Sequence, residues 1–207
     1  MENSQVICPR RRRVPNSYKE FAAKGSYSVI FIVLALIALR PIMVDQMIGR
    51  ADAYSTYGMF QDSKRQCTKA LLLDSDNSEA WCRLARISKM EGDREMAYGA
   101  YLNSTQADPT NKPAHFELGM MYTQDKLYRE AIPYLDQVRK LGPDKSEHLR
   151  RGGFPYHKTA MDLLALCYEK VGDITKAEFT LEEIRVFYPD YAKTDTRLAE
   201  LKQRYKK

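Results

Sequence analysis

The sequence lacks the residue patterns on which most enzymes and metalloproteins depend. Its 207 residues include only four cysteines, which form no C-x-x-C pair, no haem-attachment motif and no Cys–His spacing typical of zinc. The three histidines, His115, His148 and His157, have no arranged nucleophile or second metal ligand beside them. Gly152-Gly153 lacks the preceding strand and the lysine of a phosphate-binding loop. The sequence therefore predicts a protein with no catalytic centre, metal or cofactor.

The sequence does not decide whether one pair of cysteines forms a disulfide. Cys167 lies beside Tyr168 in a core-facing stretch and is typical of a small buried apolar residue. Cys67 and Cys82 fall on successive predicted helices that should pack together, so they could pair in an oxidising compartment. The distance between their Cα atoms decides the matter, and the sequence does not give it.

What the sequence does contain is a repeat. Several residues recur after 34 positions, and a further copy follows after 46, which is one period plus a twelve-residue insertion. A 34-residue period is typical of a stacked pair of helices, and such units bury their apolar faces only by stacking into a solenoid. The recurring residues are Leu84, Leu118 and Leu164; Ala97, Ala131 and Ala177; Tyr101, Leu135 and Leu181; and Pro109, Pro143 and Pro189.

These copies resemble the tetratricopeptide repeat. That family has large residues at positions 4, 7, 11 and 24, small residues at 8, 20 and 27, and proline at 32. The copy starting at Ser78 has Trp81, Leu84, Ala85, Ser88, Ala97, Tyr101, Ser104 and Pro109. The copy starting at Lys112 has His115, Leu118, Gly119, Tyr122, Ala131, Leu135, Val138 and Pro143. The copy starting at Lys158 has Met161, Leu164, Ala165, Tyr168, Ala177, Leu181, Ile184 and Pro189.

The resemblance extends over most of the chain. Gly92-Asp93 and Gly172-Asp173 occupy the family's turn between helices, where glycine can end one helix and aspartate can cap the next. A degenerate copy at 44–77 keeps Ala51, Tyr54 and Ala70, and residues 192–207 predict an amphipathic capping helix. The implied fold is all-α: a right-handed solenoid of about four repeats at 44–77, 78–111, 112–145 and 158–191, an insertion at 146–157, and the cap.

The resemblance also implies a protein-binding groove lined by the first helix of each repeat. None of the groove positions is asparagine, which argues against the chaperone-tail clamp of some family members. Exposed apolar residues in a concavity suit an amphipathic helix or an extended segment of a partner. The alternative is that the insertion or the capping helix covers them. The expected basic patch is Arg83, Arg86 and Lys89, and the expected apolar patch is Phe116, Met120, Leu163 and Leu166.

The insertion offers a second candidate contact. Insertions in repeat arrays form loops, often on a binding face. Two aromatic residues beside two arginines suit either a contact with a partner or packing back onto the fold. The residues are Arg150, Arg151, Phe154 and Tyr156.

One segment near the N-terminus is uncharged and apolar. Residues 27–39 are dense in valine, isoleucine, leucine and phenylalanine, and counting on to Val44 gives 18 residues. That length is near the lower limit for crossing a bilayer core of about 30 Å. Arg40 lies close enough to one end to extend to the lipid headgroups. We predict a transmembrane helix over residues 27–44.

Such a segment could instead be a buried core helix or a cleaved signal peptide. A repeat solenoid has no place for a helix that is apolar all round. A small-x-small cleavage pattern is missing directly after the segment, where Arg40 and Pro41 stand, and no lipoprotein cysteine follows. An uncleaved signal anchor is therefore favoured.

The basic residues predict the orientation. Residues 1–26 carry six basic and two acidic side chains, a net charge of +4, out of +6 for the whole chain. Because lysine and arginine stay on the cytoplasmic side, the tail should be cytoplasmic and the solenoid periplasmic. The basic pI of about 9.0 thus gives no support for nucleic-acid binding. We expect contact with anionic lipid, worth about 1 kcal/mol per residue, at Arg10, Arg11, Arg12 and Arg13.

Together these features predict a non-catalytic scaffold anchored in the inner membrane. Its solenoid would recruit or assemble protein partners that are membrane-embedded or close to the membrane, because few residues separate the apolar segment from the first repeat. The first alternative is a permanent structural subunit of a large membrane complex. The second is an organelle-surface import receptor with a cytosolic solenoid, against which the basic tail and the missing asparagines count.

Overall fold

The computed structural model describes residues 16–143, 156–191 and 193–205, with side chains from Ile32 onward. The chain divides into two compact units, residues 1–43 and 44–207. Every regular element in the described ranges is an α-helix. The helices are α1 (Asn16–Thr56), α2 (Phe60–Leu73), α3 (Ser78–Glu91), α4 (Arg94–Ala107), α5 (Lys112–Gln124), α6 (Tyr128–Leu141), α7 (Tyr156–Val171), α8 (Ile174–Phe187) and α9 (Lys193–Arg204).

Most of the described apolar side chains of the first unit, from Ile32 onward, are exposed. Those described include Ile32, Leu34 and Ile37, each with more than half of its surface accessible. The segment Ile32–Thr56 contains an 18-residue window of mean hydropathy 1.8, of which 11% is buried. A core helix would be mostly buried, so this helix differs from one. By length and composition alone it could cross a membrane, and a signal sequence would have the same properties.

The turns between helices in the second unit follow a pattern that recurs with the repeat. Gly92 and Gly172 both have φ of 90°, and the side chains of Asp93 and Asp173 accept hydrogen bonds from the backbone N–H three residues on, at 3.1 and 3.2 Å. The predicted glycine–aspartate turns are therefore confirmed. The third repeat departs from the pattern, since Lys126 occupies the equivalent position with φ of 62°.

Small residues allow the two helices of each repeat to pack closely. The alanines at positions 8 and 20 are buried in the second and fourth repeats. In the third repeat position 8 is Gly119, and a Cβ there would lie only 2.7 Å from Cγ and Cδ2 of Leu135 on α6. This distance gives a physical reason for a small residue at position 8, since a larger side chain would collide with the second helix.

The core runs from one end of the second unit to the other. Val44 and Ile48 of α1 pack with Ala70 and Ala80, and the Ser63 hydroxyl donates to the Ala51 carbonyl at 2.5 Å. At the far end, Leu198 and Leu201 of α9 pack against Met161, Leu181 and Ile184. The last helix therefore covers the apolar face that α7 and α8 leave open.

Cys67, Cys82 and Cys167 are buried free thiols. Burial raises the pKa of Cys67 to about 12 and that of Cys82 to about 11. Both thiols are therefore protonated at neutral pH, and they fill space between helices.

Candidate protein-binding groove

The first helices of successive repeats, α3, α5 and α7, lie side by side and carry every described residue of the expected groove. Arg83, Arg86 and Lys89 are on α3, Phe116 and Met120 on α5. Leu163 and Leu166 are on α7. We use the word groove below for the accessible side chains on this face of α3, α5 and α7.

A ladder of ion pairs connects neighbouring first helices along the groove. Each rung joins one charged side chain to an opposite charge on the next first helix, 28 to 35 residues away in sequence. These pairs join α1 to α3, α3 to α5 and α7 to α9, and they neutralise Arg83 and Lys89. The rungs are Asp52–Arg83 at 2.7 Å, Lys89–Glu117 at 2.6 Å, Asp162–Arg197 at 3.1 Å and Glu169–Arg204 at 2.6 Å.

Because of these ion pairs, the expected basic patch has less free positive charge than the sequence indicates. Arg83 pairs with Asp52 and also with Glu79, at 2.6 Å, and Lys89 pairs with Glu117. Within the described ranges Arg86 makes no ion pair. The patch therefore offers one unpaired cation rather than three, and the net positive charge expected from the sequence is mostly cancelled inside the protein.

Arg86 lies on α3, and its side chain is neither fully buried nor fully exposed. Its positive charge counteracts the rise in the pKa values of Cys82, Tyr101 and Tyr156 that burial causes. Burial raises the pKa of Tyr101 and of Tyr156, and nearby Glu117 adds to the rise while Arg86 opposes it.

Phe116 is not an exposed anchor, which corrects the expectation from the sequence. Only 1% of it is accessible, and its ring meets the ring of Tyr156 edge to face with centroids 5.3 Å apart. It belongs to the core with Leu135, Ala160 and Leu164. Position 5 of this repeat faces the neighbouring repeat here, because α7 packs directly against α5.

The other three apolar residues of the groove remain partly accessible. Met120 and Leu163 border the core around Phe116, and Leu166 lies one turn further along α7. Together with Arg86 they form a mixed surface, apolar on α5 and α7 and basic on α3. We keep these four residues as the candidate groove site.

The insertion is only partly described. Tyr156 forms the first turn of α7 and packs against Phe116, so it contributes to the fold rather than standing free as a contact residue. The other residues of the candidate contact loop, Arg150, Arg151 and Phe154, lie outside the described residues, as do Arg10, Arg11, Arg12 and Arg13 of the tail.

Both described histidines have structural contacts. His157 is fully buried, with Nδ1 2.8 Å from the Tyr188 hydroxyl and Nε2 3.3 Å from the Arg139 carbonyl. His115 lies 3.1 Å from the Pro109 carbonyl through Nε2, and burial lowers its pKa. Among the described residues no group of three histidine, cysteine or acidic side chains is arranged to hold a metal ion.

Two features of these helices were not predicted from the sequence. Glu117 neutralises Lys89, and the Tyr101 hydroxyl is buried without a hydrogen-bond partner among the described residues. The ion-pair partner could have been found by searching for opposite charges separated by about one repeat. The orphan hydroxyl has no sequence signal, since Tyr101 occupies a core position of the repeat like Leu135 and Leu181.

Solved structures resemble this chain, although no protein-family model and no curated protein matches it. PilF of Pseudomonas aeruginosa is 19% identical with a TM-score of 0.59, covering 81% of this chain and 71% of that one. YrrB, described as a TPR protein with an unusual peptide-binding site, is 16% identical with a TM-score of 0.62, over 77% and 76%. MamA of Desulfovibrio magneticus RS-1 is 15% identical with a TM-score of 0.59, over 78% and 85%.

The fold is that of the tetratricopeptide-repeat proteins. Proteins of this fold typically act as non-catalytic interaction modules. In the tetratricopeptide-repeat family the first helices line the concave surface, and the first helices of this chain are α3, α5 and α7.

Proposed function

We propose that this protein is a non-catalytic scaffold, anchored in a membrane by its N-terminal helix, that recruits or assembles protein partners of a membrane-associated complex. The observation that carries the proposal is the mixed apolar and basic surface of the groove. Met120, Leu163 and Leu166 remain partly accessible, and Arg86 on the same face of the repeats makes no ion pair in the described part of the chain.

The exposed helix of the first unit supports a membrane location. Side chains such as Ile32, Leu36 and Ile37 are 57 to 59% accessible, and leaving so much apolar surface in water would be unfavourable by about 25 cal/mol per Å². The net charge of +4 over residues 1–26 favours a cytoplasmic tail and a periplasmic solenoid. We therefore propose a partner that is embedded in the membrane or close to it, and contact of the arginine-rich tail with anionic lipid.

The proposed use of the groove has a parallel in a protein of the same fold. YrrB is described as having a peptide-binding site. An extended or helical segment of a partner would lay apolar side chains over Met120 and Leu166 and would leave its polar side chains towards the rims.

The test is capture of partners by the detergent-solubilised full chain. A groove variant, Met120→Gln with Leu166→Gln, should lose a partner that the unchanged protein retains, because an interface anchor is typically worth at least about 2 kcal/mol. The matched control is Leu102→Gln with Val186→Gln, which changes accessible apolar residues on the second helices α4 and α8. Equal capture by the groove variant and the unchanged protein, with equal thermal stability, would contradict the proposal.

A further inference from the structure

A cleft between α3 and α4 lies apart from the groove. One part of it, about 480 Å³ in volume, is mainly apolar, and the other part, about 460 Å³, is more polar. Trp81 lines both parts, and its indole N–H donates to the Ser75 carbonyl at 2.8 Å, which fixes the ring. We name this space the Trp81 cleft and define it by Trp81, Leu84, Met96, Gly99, Asn103 and Gln106.

The apolar part of the cleft has an open floor. Gly99 lies inside α4, where glycine destabilises a helix relative to alanine. An added Cβ at Gly99 would meet nothing within 4 Å, so packing within the described chain does not require glycine there. Gly119 is the opposite case, because Leu135 leaves no room for a Cβ. Met96, one turn before Gly99, is 46% exposed, so an entering apolar side chain would find an apolar neighbour and free space.

The polar part of the cleft offers two side-chain amides without partners. Asn103 and Gln106 follow Gly99 along the same face of α4. Neither amide makes a hydrogen bond with a residue that the structure describes. An amide can donate to a carbonyl and accept from an N–H, which are the groups of a main chain. Those groups are free in an extended segment and already paired in a helix, so the amides favour an extended occupant.

Acidic side chains stand at both ends of the cleft. Glu95 lines the apolar end and Asp76 the polar end, and neither makes an ion pair within the described ranges. Asp93 also lies at the apolar end, but it caps α4 and lies 3.9 Å from Lys64. No lysine or arginine is among the described residues that line the cleft. The cleft is therefore complementary in charge to a segment with a basic residue at each end.

The length of the cleft sets the spacing of those basic residues. Glu95 and Gln106 lie on one helix and are separated by about 17 Å along its axis, since a helix rises about 1.5 Å per residue. An extended chain covers that distance in about five residues, because each residue advances about 3.3 Å. Alternate side chains of an extended segment point the same way, so the first, third and fifth can all face α4.

We propose that the Trp81 cleft binds an extended segment of a protein partner, in which one apolar residue has lysine or arginine two positions away on each side. The inference goes beyond the proposed function, because it adds a second recognition surface that does not depend on the groove. The apolar side chain enters the space beside Gly99 and Met96, and the two amides bind the main chain. Because the acids at the ends are exposed, they add selectivity rather than most of the affinity.

The experiment uses four pools of fluorescein-labelled nonapeptides with blocked termini and the detergent-solubilised full chain, with empty micelles as the blank. The first pool has a central leucine, methionine or phenylalanine with lysine two positions away on each side, and its other positions are drawn from alanine, serine and threonine. The second and third pools replace both lysines with glutamine and with glutamate. The fourth pool replaces the central apolar residue with serine.

Fluorescence anisotropy should show the first pool binding most tightly. The serine pool should bind at least about tenfold more weakly, because it loses the buried apolar side chain. The glutamine pool should bind about two- to fivefold more weakly at low salt, as expected for exposed ion pairs, and the difference should shrink as salt rises. The glutamate pool should bind more weakly than the glutamine pool, because its charge has the same sign as the ends of the cleft.

Four variants assign the binding to the cleft. Gly99→Gln fills the open floor and should weaken binding of the first pool at least about tenfold, while raising the thermal midpoint because glycine is the poorer helix former. Gly49→Gln is the matched control: a Cβ at Gly49 also meets nothing within 4 Å, so the midpoint should rise and the binding should stay. Glu95→Gln should reduce the preference for lysine over glutamine, whereas Glu130→Gln, which changes the first-turn acid of α6, should keep it.

Each contrary outcome overturns a stated part. Equal binding of the first and serine pools, or no binding of any pool, refutes the cleft as a peptide site. Tightest binding of the glutamate pool refutes the basic residues. Undiminished binding by Gly99→Gln, or a lowered midpoint of that variant, refutes the open floor as the site. If no pool binds and Gly99→Gln abolishes a concentration-dependent dimer of the unchanged chain, a second copy is the occupant and the partner segment is wrong.

The groove variant separates this inference from the proposed function. Met120→Gln with Leu166→Gln should keep the peptides of the first pool, because neither residue is among those that line the cleft. If that variant loses the peptides while Gly99→Gln keeps them, the groove binds them, and this inference fails while the proposed function stands.

Discussion

Gly119→Ala should destabilise the protein although alanine is the better helix former. Gly119 lies inside α5, and an added Cβ would be 2.7 Å from both Cγ and Cδ2 of Leu135 and 3.4 Å from the Leu135 backbone nitrogen. Carbon atoms prefer a separation of about 3.5–4.0 Å, so Leu135 would have to move by nearly 1 Å. Leu135 is 0% exposed and belongs to the core with Phe116 and Val138, so its displacement would disturb packed neighbours.

The expected change in the free energy of unfolding of Gly119→Ala is the sum of two opposing effects. Overpacking a closed core costs about 1–3 kcal/mol, and replacing glycine with alanine inside a helix recovers up to about 1 kcal/mol. The net loss should be about 1–2 kcal/mol. Gly99 is the matched control, because it lies inside α4 and a Cβ there has nothing within 4 Å. Gly99→Ala should therefore stabilise the protein by about 0.5–1 kcal/mol.

The two variants are compared by thermal and urea unfolding of the solubilised chain. Their stabilities should differ by about 1.5–3 kcal/mol, which for a domain of this size is a difference of roughly 3–12 °C in the midpoint. In a Leu135→Ala background the obstructing atoms are gone, and Gly119→Ala should then behave like Gly99→Ala. If Gly119→Ala is as stabilising as Gly99→Ala in the unchanged background, close packing is not the reason for this glycine.

Four further expectations concern other parts of the chain. Lys126→Gly should stabilise the protein by about 1 kcal/mol in urea unfolding, because Lys126 has a φ of 62° where the other repeats have glycine; an unchanged midpoint would contradict this. Phe116→Ala should lower the free energy of unfolding by about 3–5 kcal/mol, because Phe116 is 1% exposed. A variant of unchanged stability would indicate that Phe116 is a surface residue after all. Burial lowers the pKa of His115, so the folded protein favours the neutral ring, and stability should fall as the pH drops below the ordinary value of about 6.5; His115→Gln should reduce the loss between pH 7 and pH 5. A reporter that is active only in the periplasm, placed after Lys207, should be active, and an inactive but fully expressed fusion would refute the orientation.

The repeat architecture was predictable because it depends on residues that recur. Leu84, Ala97 and Tyr101 reappear one period later as Leu118, Ala131 and Leu135, and a period constrains both helix length and helix packing. The turns were predictable for the same reason. Features that differ from one repeat to the next were harder to predict. Nothing in the sequence distinguishes Lys126 in a left-handed conformation from an ordinary loop lysine.

The groove was harder to predict because exposure depends on the neighbouring repeat. Family positions place Phe116 on the concave face, but the first turn of α7 brings Tyr156 against its ring. The positions also give the charge of Arg83 and Lys89 correctly and say nothing of their partners, which come from helices 28 and 31 residues away. A count of basic residues therefore overstates the charge that a partner would meet.

The pairing of Arg83 and Lys89 with carboxylates changes how the groove should select a partner. A patch of three free cations would attract any acidic segment, and its binding would depend strongly on salt. With Arg83 and Lys89 already paired inside the protein, the groove attracts an acidic segment only weakly at long range. Partner choice should then depend more on apolar contacts with Met120, Leu163 and Leu166 than on the partner's overall charge.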